Sequence, residues 1–137
     1  MKRTLSRIIA MQIIYNYNVT NILDYDGIMS LIIQEDIEFD SEYVKELVCG
    51  IVDNQKEIDF VISMNLKNYT LDRLSIVDRS LLEIGTYELL FTKTPINIVI
   101  NEIIEISKEY SEIDDYKTSK FNNAVLDSIS KMRKYEQ

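Results

Sequence analysis

Two arginines, Arg3 and Arg7, stand four residues apart in a segment free of helix breakers. At helical spacing they lie one turn apart and can address one ligand together. The other residue types that do chemistry are scarce. There is no His, which removes the Ser-His-Asp triad, the Cys-His pair, His-ligated zinc and the commonest general base. The one cysteine, Cys49, has no partner for a disulfide or a thiolate cluster, which fits a reducing cytosol, and reads as a buried small hydrophobe. Glu102, Glu105 and Glu109 stand at the spacing of a carboxylate bundle, but such di-iron sites pair Glu with Glu-x-x-His, so a solvated face is expected. The acidic stretch from Glu35 to Asp40 lacks the alternating acids, Gly and final Glu of a calcium loop. No phosphate-cradling glycine motif is present, and neither a cofactor nor catalysis is implied.

Charge is the stronger clue. The chain has 137 residues and a formal net charge of −8, which argues against a nucleic-acid partner, since phosphate binding needs clustered Lys and Arg. The distribution of that charge points the other way. Residues 1–23 carry +3 through Lys2, Arg3 and Arg7, and residues 116–137 carry +3 through Lys117, Lys120, Lys131, Arg133 and Lys134 against Asp127 and Glu136. The middle holds −14. If the two ends meet, they form one basic face on an acidic body; otherwise each is simply solvated.

The elements that must position these residues are helices. With three Gly and one Pro, turns and hairpins are disfavoured, and no segment alternates with a period of two. The chain is expected to be all-α, with about six or seven helices in one domain spanning 1–137. The first helix runs from Arg3 to about Tyr17, with Leu5, Ile8, Ile9, Gln12 and Tyr15 on a core face and Arg3, Arg7, Ala10 and Ile14 on a second stripe. Asp24 and Asp26 cap a short helix. A longer pattern starts at Ser41, contains Gly50, which predicts close approach of a neighbour, and bends or splits at Asp53 and Asn54. Residues 69–74 form a connecting turn, Ser75 and Asp78 a capping box, and Thr94-Pro95 opens another helix. Ser111 to Thr118 reads as a turn and Ser119 as the start of the last helix, with Phe121 and Val125 inward. No apolar run reaches the ~18–20 residues that span a bilayer, so a soluble, cytoplasmic protein is expected.

Four segments stand out: Arg3-x-x-Ser6-Arg7-x-x-Ala10-x-Gln12-x-Ile14-Tyr15; Leu71-x-Arg73-Leu74-x-x-Val77-Asp78-Arg79-x-Leu81-Leu82-x-Ile84-x-x-Tyr87-Glu88-Leu89; Pro95-x-x-x-Val99-Ile100-Asn101-Glu102-x-Ile104-Glu105-Ile106-Ser107-Lys108; and Lys120-Phe121-x-Asn123-x-Val125-Leu126-Asp127. Together they resemble the NusB family of bacterial transcription antitermination factors. They occur in family order across nearly the whole chain. The resemblance implies two packed helical bundles without enzymatic activity. It also implies binding of single-stranded boxA RNA in ribosomal RNA transcripts together with NusE, a small-subunit ribosomal protein, within an RNA polymerase antitermination complex. Carried over, the RNA-binding residues are Arg3, Arg7, Lys120, Phe121 and Asn123, joined by Lys2 and Lys117 on proximity and charge. Tyr15, Tyr17 or Phe121 would stack on splayed bases if exposed; apolar spacing turns Tyr15 and Phe121 inward and leaves Tyr17 more open. The partner surface would lie on the helix carrying Asp78, Tyr87 and Glu88. Alone, such a protein would be a monomer or a homodimer. The rival reading, motivated by the charge of −8, is a helical protein-interaction module that has lost RNA binding.

Overall fold

The structure, a computed structural model, describes residues 2–110 and 117–133. Within them the chain forms seven α-helices and no strand: α1 (Lys2–Thr20), α2 (Tyr25–Ile33), α3 (Ser41–Asp53), α4 (Gln55–Met64), α5 (Ile76–Phe91), α6 (Ile96–Tyr110) and α7 (Lys117–Ser130), with a 3-10 turn, Leu71–Arg73, before α5. The expected all-α architecture is what is found. No described helix is long and apolar enough to cross a membrane.

Local chemistry sets the boundaries. The Asp24 carboxylate accepts the Gly27 N–H at the start of α2, and Asp40 does the same for Tyr43 in α3. Asn54 splits the long pattern as expected, leaving helical geometry with φ −118° while its side-chain amide donates to the Gly50 carbonyl at 2.7 Å. The Ser75 hydroxyl oxygen accepts the Asp78 N–H at 3.1 Å and donates to the Asp78 carboxylate at 2.8 Å. Pro95 stands just ahead of α6, and its carbonyl accepts the N–H groups of Ile98 and Val99. The turn expected over Ser111 to Thr118 lies outside the described residues up to position 116, and α7 is already helical at Lys117 rather than Ser119.

Helix α5 is the hub. It is enclosed nearly all round although it carries Asp78, Arg79, Glu83 and Glu88: Asp78, Ser80, Leu81, Leu82, Glu83, Ile84, Gly85, Thr86, Glu88 and Leu89 are buried. α1 and α3 pack against it in one bundle and α6 and α7 in the other, while α4 closes between α3 and α7. Gly85 permits the close crossing of α7: a methyl there would lie 2.8 Å from Leu126 Cδ2.

Two expectations about faces are corrected. On α1, Gln12 and Tyr15 are exposed, while Ile9, Ala10, Ile13 and Ile14 are buried. The helix is therefore rotated so that Arg7, Ala10 and Ile14 of the second stripe turn inward, while Arg3 at its end stays exposed. Cys49 is exposed rather than buried, because it follows Val48 on the solvent side of α3, whose inner face is Val44, Leu47, Val48 and Ile51.

Candidate nucleic-acid interface

The inward rotation of α1 decides the fate of its two arginines. Arg7 is 3% exposed, and its Nε and Nη2 donate to the two oxygens of Glu88 at 2.7 and 2.9 Å. Nη1 donates to Glu102 at 3.2 Å, Thr4 donates to the same oxygen at 2.5 Å, and the Tyr43 hydroxyl donates to Glu88. Burial alone would lower the Arg7 pKa, but bonding to Glu88 and the charges of Glu88 and Glu102 raise it on balance. Burial and the Glu88 charge likewise push the Tyr43 phenol up. Arg7 is thus a permanent interior cation, and the expectation that it addresses a ligand beside Arg3 is corrected. Arg3 remains at the surface, its side chain 56% exposed, with its guanidinium 3.9 Å from the Tyr43 ring centroid and 3.9 Å from Asp40. Lys2 lies in the first turn of α1.

The acidic partner surface expected on α5 is also corrected. Glu88 is fully buried on Arg7 and Tyr43. Asp78 is buried at the other end of the helix, accepting from Ser75 and from the Asn122 amide at 3.0 Å. Only Tyr87 is half-exposed. Its ring lies parallel to Phe91, 5.3 Å between centroids, and against Gly50, where a methyl would collide with it. A resemblance gives positions along the chain, and α5 being the hub turns its acids inward.

The first turns of α7 bring surface cations and an aromatic together. Lys117, Lys120 and Asn123 are exposed and Phe121 is half-buried. Asn122 anchors this segment from beneath, donating to Asp78 and to Ser107 at 3.3 Å. Phe121 meets Tyr69, from the connection before α5, with ring centroids 5.4 Å apart and planes inclined by 60°. The Arg73 guanidinium stands 4.9 Å from the Tyr69 centroid, and Lys67 lines the adjoining hollow with Asn65, Phe121 and Lys131. Sequence reasoning missed Tyr69, Arg73 and Lys67, although an aromatic and two cations in a turn were the available signal. Tyr17 is half-buried beside a separate groove walled by Asn54, Gln55 and Lys56.

Among the described residues, the buried Arg7 and the start of α7 are anchored at opposite ends of α5. Arg7 holds Glu88 while Asn122 holds Asp78, and ten residues of α5 separate those anchors by about 15 Å. The residues after α7 do return to the end of α5 that Arg7 holds: Arg133 donates to the carbonyls of Leu89, Glu88 and Thr94. Among the described residues no group of His, Cys, Asp or Glu is placed to hold a metal ion.

The four sequence segments thus converge on α5, and comparison with known proteins agrees with that arrangement. The profile described as the NusB family matches residues 4–131. The chain belongs to the NusB family. A transcription antitermination protein NusB of Staphylococcus aureus (strain MRSA252) is 36% identical over 132 residues, covering 96% of this chain and 100% of the relative. The structure of T. maritima NusB superposes with a TM-score of 0.80 at 32% identity, covering 97% of this chain and 93% of that one. A crystal structure of antitermination factors NusB and NusE in complex with dsRNA matches with a TM-score of 0.81 at 30% identity, covering 96% and 97%. These NusB relatives are antitermination proteins rather than enzymes, and the present chain has exposed cations at the start of α7 and at Arg3.

Proposed function

We propose that this protein binds boxA RNA in ribosomal RNA transcripts together with NusE, as part of an RNA polymerase antitermination complex in the cytoplasm. One domain spanning 1–137 would do so. The observation that carries the reading is the exposed set Lys117, Lys120 and Asn123 beside the half-buried Phe121, on a fold shared with a NusB–NusE–RNA complex. Lysines there would neutralise phosphates, while aromatics take unstacked bases, a combination suited to single strands. Arg3, Lys2 and Tyr17 extend the strand's path along α1, and Arg7 serves it from the interior by holding α1 on α5. Of the partner-facing residues expected on α5, Tyr87 is the one that a docked ribosomal protein would reach.

Fluorescence anisotropy of a boxA-like RNA, a scrambled strand and a duplex tests this, with and without NusE, at two salt concentrations. The boxA strand should bind tightest, tighter still with NusE, and weaken with salt by about one unit of log–log slope per phosphate contact. Absence of binding even with NusE docked would overturn the RNA role and leave a protein-interaction module, the reading that the charge of −8 favours.

A further inference from the structure

We propose that the carboxyls of Glu83 and Asp59 share one proton and with it latch the start of α4 onto α1 and α5, so that loss of this proton opens α4 locally. The latch lies in the interior and works whether or not RNA is bound.

Three helices build the cluster. Arg79 and Glu83 come from α5, Gln55 and Asp59 from α4, and Asn18 from the last turn of α1. Arg79 Nη2 donates to Asp59 Oδ2 at 2.8 Å, and its Nε reaches Glu83 Oε2 at 3.4 Å. The Asn18 amide donates to Glu83 Oε1 at 2.8 Å and to Ser80 at 3.1 Å. The Gln55 amide donates to Asn18 at 3.0 Å and to Glu83 at 3.4 Å. The charged groups that face Glu83 are therefore Asp59 across the α4–α5 contact and Arg79 on its own helix, while α1 contributes the neutral Asn18.

The donors present are one short of what the two carboxyls need. With both ionised, two negative charges share one guanidinium, and the cluster keeps an uncompensated charge. Glu83 has no exposed surface, and Asp59 Oδ1 is buried without a donor. A proton on Glu83 removes the surplus charge and supplies that donor, since the two carboxyls are in hydrogen-bonding contact. Leaving a buried polar atom unpaired is costly. The closed form thus keeps its proton at a pH where a carboxyl in water has lost it.

Helix α4 is the element that yields. Asn54 at its start makes no side-chain cap and donates back to the Gly50 carbonyl instead, so the polar attachment of this end is the cluster. The far end is fastened separately: Ser128 of α7 donates to Asn65, and Asn65 donates to the Val61 carbonyl. Ionised Glu83 and Asp59 repel across the α4–α5 contact, which lifts the turns carrying Gln55 and Asp59 while Asn65 stays on α7. Burial of Ile58, Val61 and Ile62 opposes that movement and keeps the open form a minor one.

Hydrogen exchange of the full chain, read by mass spectrometry from pH 5 to 9 and divided by the intrinsic rate at each pH, tests the latch. Opening releases one proton, so the corrected rate of the amides from Ile58 to Ile62 should rise by up to about tenfold per pH unit from 5 to 8 and level off above. These amides should exchange faster than those of α3 and α5 at every pH, the mark of local opening. Glu83→Gln is a donor at every pH and should flatten the α4 profile. Asp59→Asn should make it level off at a lower pH, because its amide donates to an ionised Glu83, and it decides the matter if Glu83→Gln does not fold. A corrected rate in α4 that ignores pH in the unmodified protein refutes the shared proton. Protection of α4 equal to that of α3 and α5 throughout refutes local opening, and an unchanged rise in the variants refutes the assignment to Glu83 and Asp59.

Discussion

Arg7 and Glu88, 81 positions apart in sequence, are joined by two hydrogen bonds of 2.7 and 2.9 Å with both side chains shut off from solvent. Through Tyr43 and Glu102 the same cluster includes α3 and α6, so one guanidinium ties four helices. Two charges taken out of water repay their desolvation only when the geometry is good and the remaining polar atoms are bonded. Here both conditions hold: Glu88 accepts from Arg7 and Tyr43, and Arg7 uses three nitrogens.

Removing one partner of such a pair strands the other. Arg7→Ala should therefore cost about 3–5 kcal/mol of folding stability, read as a lower urea midpoint. The double change Arg7→Met with Glu88→Met should be much milder, because neither charge is left alone. In RNA binding, the fraction of Arg7→Ala that stays folded should keep the salt slope of the unmodified protein. A reduced slope with unchanged stability would return Arg7 to the phosphate-contacting set.

Gly50 offers a second test of packing. A methyl at this position would meet the Tyr87 ring, with the hydroxyl oxygen at 2.6 Å, and Tyr87 in turn lies parallel to Phe91. The gain in helix propensity from Gly to Ala is about 1 kcal/mol, while forcing an aromatic out of place costs typically 1–3 kcal/mol. Gly50→Ala should lower the melting temperature despite the better helix former. Gly50→Ala combined with Tyr87→Ala should lose less than the two single changes summed, since the collision is then absent.

Much of the fold could be read from the chain because its signals are local. Asp24, Asn54 and Ser75 act within three or four residues of themselves, and Gly50 announced a close neighbour without saying that it is Tyr87. What escaped depends on partners distant in sequence. The apolar residues of α1 fit two faces about equally, and the choice is made by Glu88, which accepts Arg7 in the interior. The same distance effect hid Tyr69: it sits in an aperiodic connection, and only the packing of α7 brings Phe121 to 5.4 Å from it. Lys117, Lys120 and Asn123 were legible as surface residues from polarity alone, whereas Asp78 and Glu88 looked like surface acids and are interior ones.

The exposure of Cys49 gives a simple check on the orientation of α3. Native protein should react with Ellman's reagent completely and nearly as fast as protein in urea, since the thiol is open to solvent. A thiol that reacts only after unfolding would mean that α3 is rotated or that this face is covered.

The last expectation concerns pH and the buried carboxyl of Glu83. It is fully buried on α5, faced by Asn18 of α1 at 2.8 Å, by Gln55 and Asp59 of α4, and by Arg79 at 3.4 Å. Burial first, and then the adjacent Asp59, push its pKa up to about 8, against partial relief from Asn18 and Arg79. Asp59 Oδ1 is itself buried without a donor, and a proton on Glu83 supplies one. In the unfolded chain Glu83 ionises near the ordinary carboxylate value, so between about pH 5 and 8 the folded state binds the extra proton. The contribution of Glu83 to stability is then fully present below that window and is lost as pH rises through it. The chain contains no His, so no imidazole titrates there to mask the effect. Melting temperatures taken from pH 5 to 8 should decline for the unmodified protein and stay nearly level for Glu83→Gln, which keeps a donor for Asp59 at every pH. Equal slopes in the two proteins would mean that Glu83 is already ionised at pH 5.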